Sequence, residues 1–370
     1  MMLRHRIQVA LVTLGTYACA SPGVPPGGPK DVDAPQIIGT APDSGRTGIL
    51  PRNVVFRFDE VVSERPAGSP TLEALFMISP RDGAPSVDWN RDEVAVRPRR
   101  GWRRNITYTV SLLPGVTDLR GNVRNTGKTL VFATGPTLAT GRISGRVFNW
   151  IAGTPSPRAL VEARAVSDTS LVFVTLADSS GAYLFHNVAP ATYRLRGIID
   201  ENKNGGLDVR EPWDTATVVL ADSTGRELLA FLHDSIPARI ANVVLRDSVT
   251  LEVLLDSPVD PTQQLSAANV TVTASDSTRI PTVSVMRPPG DTSGAQGVRP
   301  SRPPPARSIL VKLGRPITVA GDLRVRAIDL RGLTSAPATS ERVARLAPIP
   351  KAAVPPGAPV LPPPPPPIKR

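Results

Sequence analysis

The chain has 370 residues, including 41 prolines and 29 glycines, and its formal net charge is +11. So much proline and glycine excludes a mainly helical protein, because proline cannot continue a helix and glycine weakens one. The arginines are scattered instead of gathered into a stripe, which argues against a nucleic-acid partner. A single cysteine excludes an intramolecular disulfide and a cysteine-based zinc site. Valine- and threonine-rich runs between the breaker residues predict an all-β chain of tandem β-sandwiches with disordered termini.

Residues 1–19 have the composition of a signal peptide. Arg4 and Arg6 precede a short apolar run over residues 7–18, which is too short to span a bilayer as a stable helix. Two processing alternatives remain open. Either Cys19 is the lipidated N-terminus of a lipoprotein, or an ordinary signal peptidase cuts before Ser21 and releases the protein.

We favour lipidation of Cys19. It is the one cysteine of the chain, and a tether rich in proline and glycine follows it over residues 20–34. Thr16 and Tyr17 depart from the aliphatic and small residues that a lipobox prefers. Ala20 is not the aspartate associated with inner-membrane retention, so we expect a lipid anchor in the outer membrane, with a secreted or periplasmic protein as the alternative.

The first β-rich block covers residues 35–136. It contains several short runs with alternating apolar residues, at 54–58, 87–96, 105–113 and 130–132. Strands of this length and spacing within about 100 residues predict a β-sandwich.

Five short motifs occur in order in this block: P-K-D-V-D-A-P-Q-I, V-V-F-R-F-D-E-V-V, N-I-T-Y-T-V-S-L, D-L-R-G-N and F-A-T. Together they resemble the bacterial Ig-like domain of the S-layer-protein type, over about residues 33–134. The resemblance implies an extracytoplasmic sandwich that spaces or adheres, without catalytic residues.

The second block covers residues 141–222. Its motifs G-R-I-S-G-R-V-F, D-S-S-G-A-Y-L-F and N-V-A-P-A-T-Y-R-L are similar to the carboxypeptidase-regulatory-like (transthyretin-like) β-sandwich. Gly181 supplies the turn residue of the hairpin, whereas Ala191 stands where that family usually has glycine. The resemblance implies a module without the peptidase and its zinc.

Residues 200–211, D-E-N-K-N-G-G-L-D-V-R-E, have the spacing of a twelve-residue calcium loop. Gly205 occupies the sharp-turn position six. The predicted Ca²⁺ ligands are the side chains at positions one, three, five, nine and twelve and the carbonyl at position seven: Asp200, Asn202, Asn204, Asp208, Glu211 and Gly206. The loop lies between predicted strands and not between helices, so the expected role of Ca²⁺ is structural and not switching. The alternative is a polar turn stabilised by Asx-type hydrogen bonds.

The third block covers residues 235–346. The letters D-L-R-G occur at 118–121 and again at 329–332, each after an alternating run, which predicts a second, diverged Ig-like sandwich. We predict that its proline-, glycine-, serine- and arginine-rich insertion, residues 287–307, is a disordered loop. The chain ends in a proline-rich tail, residues 347–370.

No motif of nucleophilic, zinc-dependent or nucleotide-dependent catalysis is present. We therefore predict a non-enzymatic extracytoplasmic lipoprotein, acting as a structural, adhesive or envelope-assembly spacer. Its expected partners are the membrane and an envelope protein or polysaccharide. One alternative is a carbohydrate- or cell-surface-binding accessory module, which needs coplanar exposed aromatic side chains. The other is a hydrolase built across domains, which needs a deep pocket with convergent carboxylates.

Overall fold

The computed structural model describes residues 29–289, 298–317 and 321–346. These residues form twenty-three β-strands and two single-turn 3-10 helices, so the predicted all-β class is confirmed. Within them, no helix has the length and apolar composition needed to cross a membrane. Cys19, most of the tether and the proline-rich tail lie outside the described residues.

The first sandwich packs a four-stranded sheet, β1-β2-β5-β4, against a three-stranded sheet, β3-β6-β7. Alternation in β2 turns Val54, Phe56 and Phe58 into the core, where each is at most 1% exposed. The strands are β1 Ile37–Ala41, β2 Val54–Phe58, β3 Phe76–Ser79, β4 Ser86–Asn90, β5 Glu93–Arg97, β6 Thr107–Leu112 and β7 Lys128–Ala133.

The middle sandwich consists of the sheet β11-β10-β13-β14 and the sheet β12-β8-β15, with the short β9 paired to β8. Its strands are β8 Gly141–Asn149, β9 Thr154–Pro155, β10 Leu160–Ala165, β11 Val172–Leu176, β12 Ala182–Val188, β13 Ala191–Ile198, β14 Trp213–Leu220 and β15 Ser223–Ala230. Strand β15 lies beyond the boundary predicted at residue 222, and it pairs in parallel with β8. The sequence concealed this strand because its first half is polar, and only Leu228 and Ala230 are wholly buried.

The third sandwich repeats the topology of the first. Its sheets have the orders β16-β17-β21-β20 and β19-β18-β22-β23, which match the first sandwich strand for strand apart from the added β19. The strands are β16 Ile240–Asp247, β17 Thr250–Leu255, β18 Val270–Ala274, β19 Arg279–Ile280, β20 Thr282–Met286, β21 Ser308–Leu313, β22 Gly321–Leu330 and β23 Ala338–Leu346.

The two D-L-R-G copies, however, do not occupy the same place. Isolated bridges join Val62 to Asp118 in the first sandwich and Val259 to Gly332 in the third. Gly332, and not Asp329, therefore takes the place of Asp118, which corrects the alignment suggested by the letters. The physical reason is packing: Leu330 ends strand β22 with its side chain wholly buried, whereas Leu119 is 70% exposed.

The described part of the insertion at residues 287–307 contacts the middle sandwich, and its predicted disorder stays a prediction. Pro303 accepts a hydrogen bond from the Trp150 indole at 3.0 Å, and the Ser301 amide donates to Glu227 at 2.9 Å. Proline has no amide hydrogen, so an extended proline-rich segment still offers free carbonyl acceptors, and this one uses them against the middle sandwich. Residues 290–297 of the insertion lie outside the described residues.

Candidate functional site

The predicted calcium loop, residues 200–211, connects β13 to β14 at one end of the middle sandwich. Two residues in its first half have a left-handed backbone, Lys203 with φ 58° and Gly205 with φ 73°. Glycine adopts this conformation without steric cost, which explains the residue at the sharp turn.

The side-chain oxygens at positions one, three and five converge on the inside of this turn. The backbone amide of Asn204 donates to both Asp200 Oδ1, at 3.1 Å, and Asn202 Oδ1, at 3.0 Å. The Gly205 amide donates to Asp200 Oδ2 at 2.8 Å, and the Gly206 amide donates to Asn204 Oδ1 at 2.8 Å. Successive backbone amides thus hold three of the predicted ligands together.

Asp208 joins the same network through its carboxylate. Asp208 Oδ2 accepts hydrogen bonds from the side-chain amide of Asn202, at 2.6 Å, and from the side-chain amide of Asn204, at 2.8 Å. The backbone bonds to Asn202 Oδ1 and Asn204 Oδ1 are those of a polar Asx-type turn, the alternative that the sequence left open, and the bonds to Asp208 reinforce it. They also bring four of the predicted side-chain ligands into one cluster.

Glu211 closes the loop as a buried carboxylate. It is 4% exposed, and its two oxygens accept hydrogen bonds from the Glu201 amide, at 3.1 Å, and the Asp208 amide, at 2.9 Å. Among the described residues, no ion pair involves it, whereas the buried Glu162 pairs with Arg81 and Arg196. Burying a carboxylate without a cationic partner is costly, and a cation bound in this loop would offset that cost.

The loop has the chemistry of a Ca²⁺ site, because Ca²⁺ takes six to eight oxygen ligands from carboxylates, amides and carbonyls. The carboxylate oxygens of its three acidic ligands, however, do not all lie close to one another. In the described part of the chain, the one set of three acidic side chains with ligand atoms within 4.8 Å of one another is a different one, Asp31, Glu60 and Asp118. Binding a cation between Asp200, Asp208 and Glu211 therefore requires the loop to contract.

The Asp31, Glu60 and Asp118 group lies at one end of the first sandwich and was not predicted. Burial raises the pKa of Glu60, and the neighbouring Asp118 and Asp31 raise it further. Burial also acts to raise the pKa of Asp118, but hydrogen bonds from Asn122 and Arg120 outweigh it and lower that pKa. The sequence concealed the group because folding brings its members together from three separate segments. The D-L-R-G-N letters indicate a family motif and an internal repeat, but neither indicates that Asp118 lies beside Asp31 and Glu60.

The middle sandwich also carries an open groove of about 690 Å³, whose lining includes Asp178 and Glu227. Hydrogen bonds from Ser180 lower the pKa of Asp178, which keeps it ionised. Glu227 accepts hydrogen bonds from Ser301. The Asp178 carboxyl therefore lacks the raised pKa that a general acid needs at neutral pH, and Glu227 is occupied by Ser301.

Exposed aromatic side chains are scarce. Of the large aromatic side chains in the described residues, Trp89 alone is more than a third exposed, at 38%. Its indole nitrogen donates to the Val62 carbonyl at 3.0 Å, which holds the ring on the first sandwich. The described surface therefore lacks the row of coplanar aromatics expected of a carbohydrate-binding module.

Residues 31–134 match the family described as bacterial Ig-like domain. This match confirms the Ig-like prediction for the first block. No curated protein matches the chain.

Several solved structures match the chain at low identity. One is a proposed carbohydrate-binding protein of Bacteroides uniformis, with 14% identity over 56% of this chain and all of that one, at a TM-score of 0.19. Another is the Bacillus anthracis TIE protein, with 12% identity over 92% of this chain and 59% of that one, at a TM-score of 0.18. The surface-layer protein SbsC, domains 1–6, has 14% identity over 86% of this chain and 42% of that one, at a TM-score of 0.21.

Proposed function

We propose that this chain is a non-enzymatic extracytoplasmic lipoprotein that acts as a spacer in the cell envelope. Cys19 anchors it to the outer membrane, and the three sandwiches carry an envelope protein or polysaccharide partner at a distance from the bilayer. The middle sandwich is of the carboxypeptidase-regulatory-like type and holds a structural Ca²⁺ in residues 200–211.

The observation that carries the spacer role is the repeat of one topology on both sides of the middle sandwich, with direct contacts at both junctions. At the first junction, Arg103 pairs with Asp168 at 2.5 Å. At the second, the Trp150 indole donates to Pro303. Sandwiches that are bonded to their neighbours transmit position along the chain, which loosely tethered domains do not.

The spacer role is tested by the tumbling of the three sandwiches in solution. Nitrogen-15 relaxation of the full chain lacking residues 1–19 is expected to give one rotational correlation time for strands of all three sandwiches. Three separate, shorter correlation times would contradict the spacer role, because they would describe independent domains.

The calcium site is supported by the burial of the Glu211 carboxyl group, which forms no ion pair within the described residues, and by the clustered oxygens of Asp200, Asn202 and Asn204. Calorimetry on the same chain is expected to show Ca²⁺ binding with a dissociation constant of roughly 10⁻⁴ to 10⁻³ M, the range of extracellular modules. The Asp200→Ala variant is expected to lose the binding heat. The control Asp43→Ala removes an exposed aspartate of the first sandwich and is expected to retain it.

The lipid anchor is supported by the apolar run and the single cysteine at its end. Metabolic labelling with palmitate is expected to mark the parent chain and not the Cys19→Ala variant. Equal labelling of both chains would contradict lipidation at this residue and leave release by an ordinary signal peptidase.

A further inference from the structure

The calcium loop is part of the contact between the first and middle sandwiches. Leu207, at position eight, packs against a small buried cluster of the middle sandwich. Met77, from strand β3 of the first sandwich, packs against the same cluster. The buried members of this cluster are Leu160, Val172, Val174 and Ile198. One apolar cluster therefore holds both a loop residue and a residue of the neighbouring sandwich.

Arg81 of the first sandwich connects directly to the loop backbone. Its guanidinium group donates to the Gly205 carbonyl and to the carboxylate of the buried Glu162. The Gly205 carbonyl belongs to the same peptide unit as the Gly206 amide, which donates to Asn204 Oδ1. A planar peptide unit thus joins Arg81 to a predicted ligand, so the orientation of one constrains the other.

The first sandwich also extends a sheet of the middle one. The Arg81 amide donates to the Val172 carbonyl at 2.8 Å, and the Val174 amide donates to Ser79 Oγ at 2.9 Å. Both bonds run along the edge of strand β11. These two amide hydrogens report directly on whether the first sandwich is docked.

We propose that Ca²⁺ binding in residues 200–211 is coupled to docking of the first sandwich on the middle one. The proposal rests on the calcium site proposed above and adds its regulation. The contraction that a cation requires fixes the Gly205–Gly206 peptide, whose carbonyl accepts a hydrogen bond from Arg81, and Leu207, which packs against the same cluster as Met77. Coupling is reciprocal, so docking must strengthen Ca²⁺ binding by the factor with which Ca²⁺ strengthens docking.

The decisive variant is Met77→Ala, because Met77 lies in the other sandwich and carries no charge. Calorimetry on the full chain is expected to show Ca²⁺ affinity weakened by about fivefold or more, the lower end of typical coupling. The matched control Met286→Ala makes the same change at an exposed site on the third sandwich, and its affinity is expected to equal that of the parent. Ser79→Ala removes the bond to the Val174 amide, again without a charge change, and is expected to weaken binding in the same direction.

Hydrogen exchange supplies the second half of the test. In the parent chain, added Ca²⁺ is expected to slow exchange of the Arg81 and Val174 amides by about fivefold or more. The Val253 amide, in the third sandwich, is expected to be unchanged. In Met77→Ala, the slowing at Arg81 and Val174 is expected to shrink.

The outcomes separate the two proposals. If the parent binds Ca²⁺ but Met77→Ala and Ser79→Ala bind it equally well, and the junction amides do not respond, the coupling is overturned while the calcium site stands. If the parent binds no Ca²⁺, the site and the coupling both fail.

Discussion

The two junctions of this chain are built from different chemistry. At the first, polar groups dominate: the Arg81 clamp on Glu162, the Arg103–Asp168 ion pair and two amide hydrogen bonds along the edge of β11. At the second, aromatic rings lie beside the hydrogen bonds from Trp150 to Pro303 and from Ser301 to Glu227. The ion pairs of the first junction add directional constraints between the sandwiches, whereas ring contacts bury area with less angular constraint.

At the second junction, the rings of Trp213, His233 and Phe231 form an aromatic stack. The centroid of the His233 ring lies 3.8 Å from that of Trp213 and 4.1 Å from that of Phe231. Trp150 meets Phe231 edge to face, with 5.5 Å between the ring centroids. Arg302, from the insertion of the third sandwich, covers the outer face of Trp150 at 4.7 Å. Because Trp213 also packs against the cluster at the first junction, the two junctions share one side chain.

The largest expected effect is at Trp150. It is 5% exposed, and replacing it with alanine removes the Phe231 contact, the bond to Pro303 and the face covered by Arg302. We expect Trp150→Ala to lower the free energy of unfolding by about 3–5 kcal/mol, measured by chemical denaturation.

The control for this prediction is Trp89→Ala, which removes the same ring from a site that is 38% exposed. Its cost is expected to be clearly smaller, since less area is buried there. Equal costs for the two variants would mean that the aromatic stack adds nothing specific at the second junction.

The next effect is at Arg81. The Arg81→Ala variant leaves the buried Glu162 carboxylate with only the more distant Arg196, at 3.8 Å. We expect a loss of roughly 3 kcal/mol in the free energy of unfolding, most of it the cost of an uncompensated buried charge. Arg81→Leu combined with Glu162→Leu removes both charges and is expected to recover much of that loss. A double variant as unstable as Arg81→Ala would show that the charge pair itself stabilises the junction.

The sequence predicted the sandwiches better than the junctions, for a physical reason. Strand β2 can be recognised in the sequence by its alternating apolar residues, because Val54, Phe56 and Phe58 all point into one core. Arg81 and Glu162 carry no such local pattern. Each looks like a solvated charge until the fold places the two in contact across 81 positions of sequence.

The calcium loop was partly predictable from the sequence, less than the strands and more than the junction contacts. Its ligands are local in sequence, so the pattern of Asp200, Asn202 and Asn204 was visible, and the structure brings those side chains together. The burial of Glu211 and the contact of Leu207 with the junction depend on other segments, and no spacing rule reports them. The contact of the insertion with the middle sandwich was not predicted for the same reason, since Pro303 is held by Trp150 and not by its neighbours.

A pH titration distinguishes the two junctions. Burial lowers the pKa of His233 below 6.5, against the opposing effects of the Phe231 carbonyl and Asp214. The folded state therefore resists protonation, and its stability is expected to fall as pH drops from about 6.5 through the lowered value. Unfolding measured at pH 7.5 and pH 5 is expected to show this loss in the parent chain. In His233→Gln, which cannot titrate, the loss is expected to be smaller.

The smallest expected effect belongs to the first junction. Hydrogen bonds from Arg103 and Ser170 lower the pKa of Asp168 from 3.8 to about 2. Because the pKa is lowered in the folded state, the ion pair stabilises the junction above pH 3.8 and is lost as pH falls through about 2. Both side chains are more than a third exposed, so solvent and salt screen the pair and its contribution is small. The protection factor of the Val174 amide, which compares its exchange rate with that of an unstructured amide at the same pH, is expected to be unchanged at pH 5 and to fall below pH 3.8. Asp168→Asn is expected to show no such acid step, and a Val174 amide that opens together with the His233 transition would mean that the two junctions act as one.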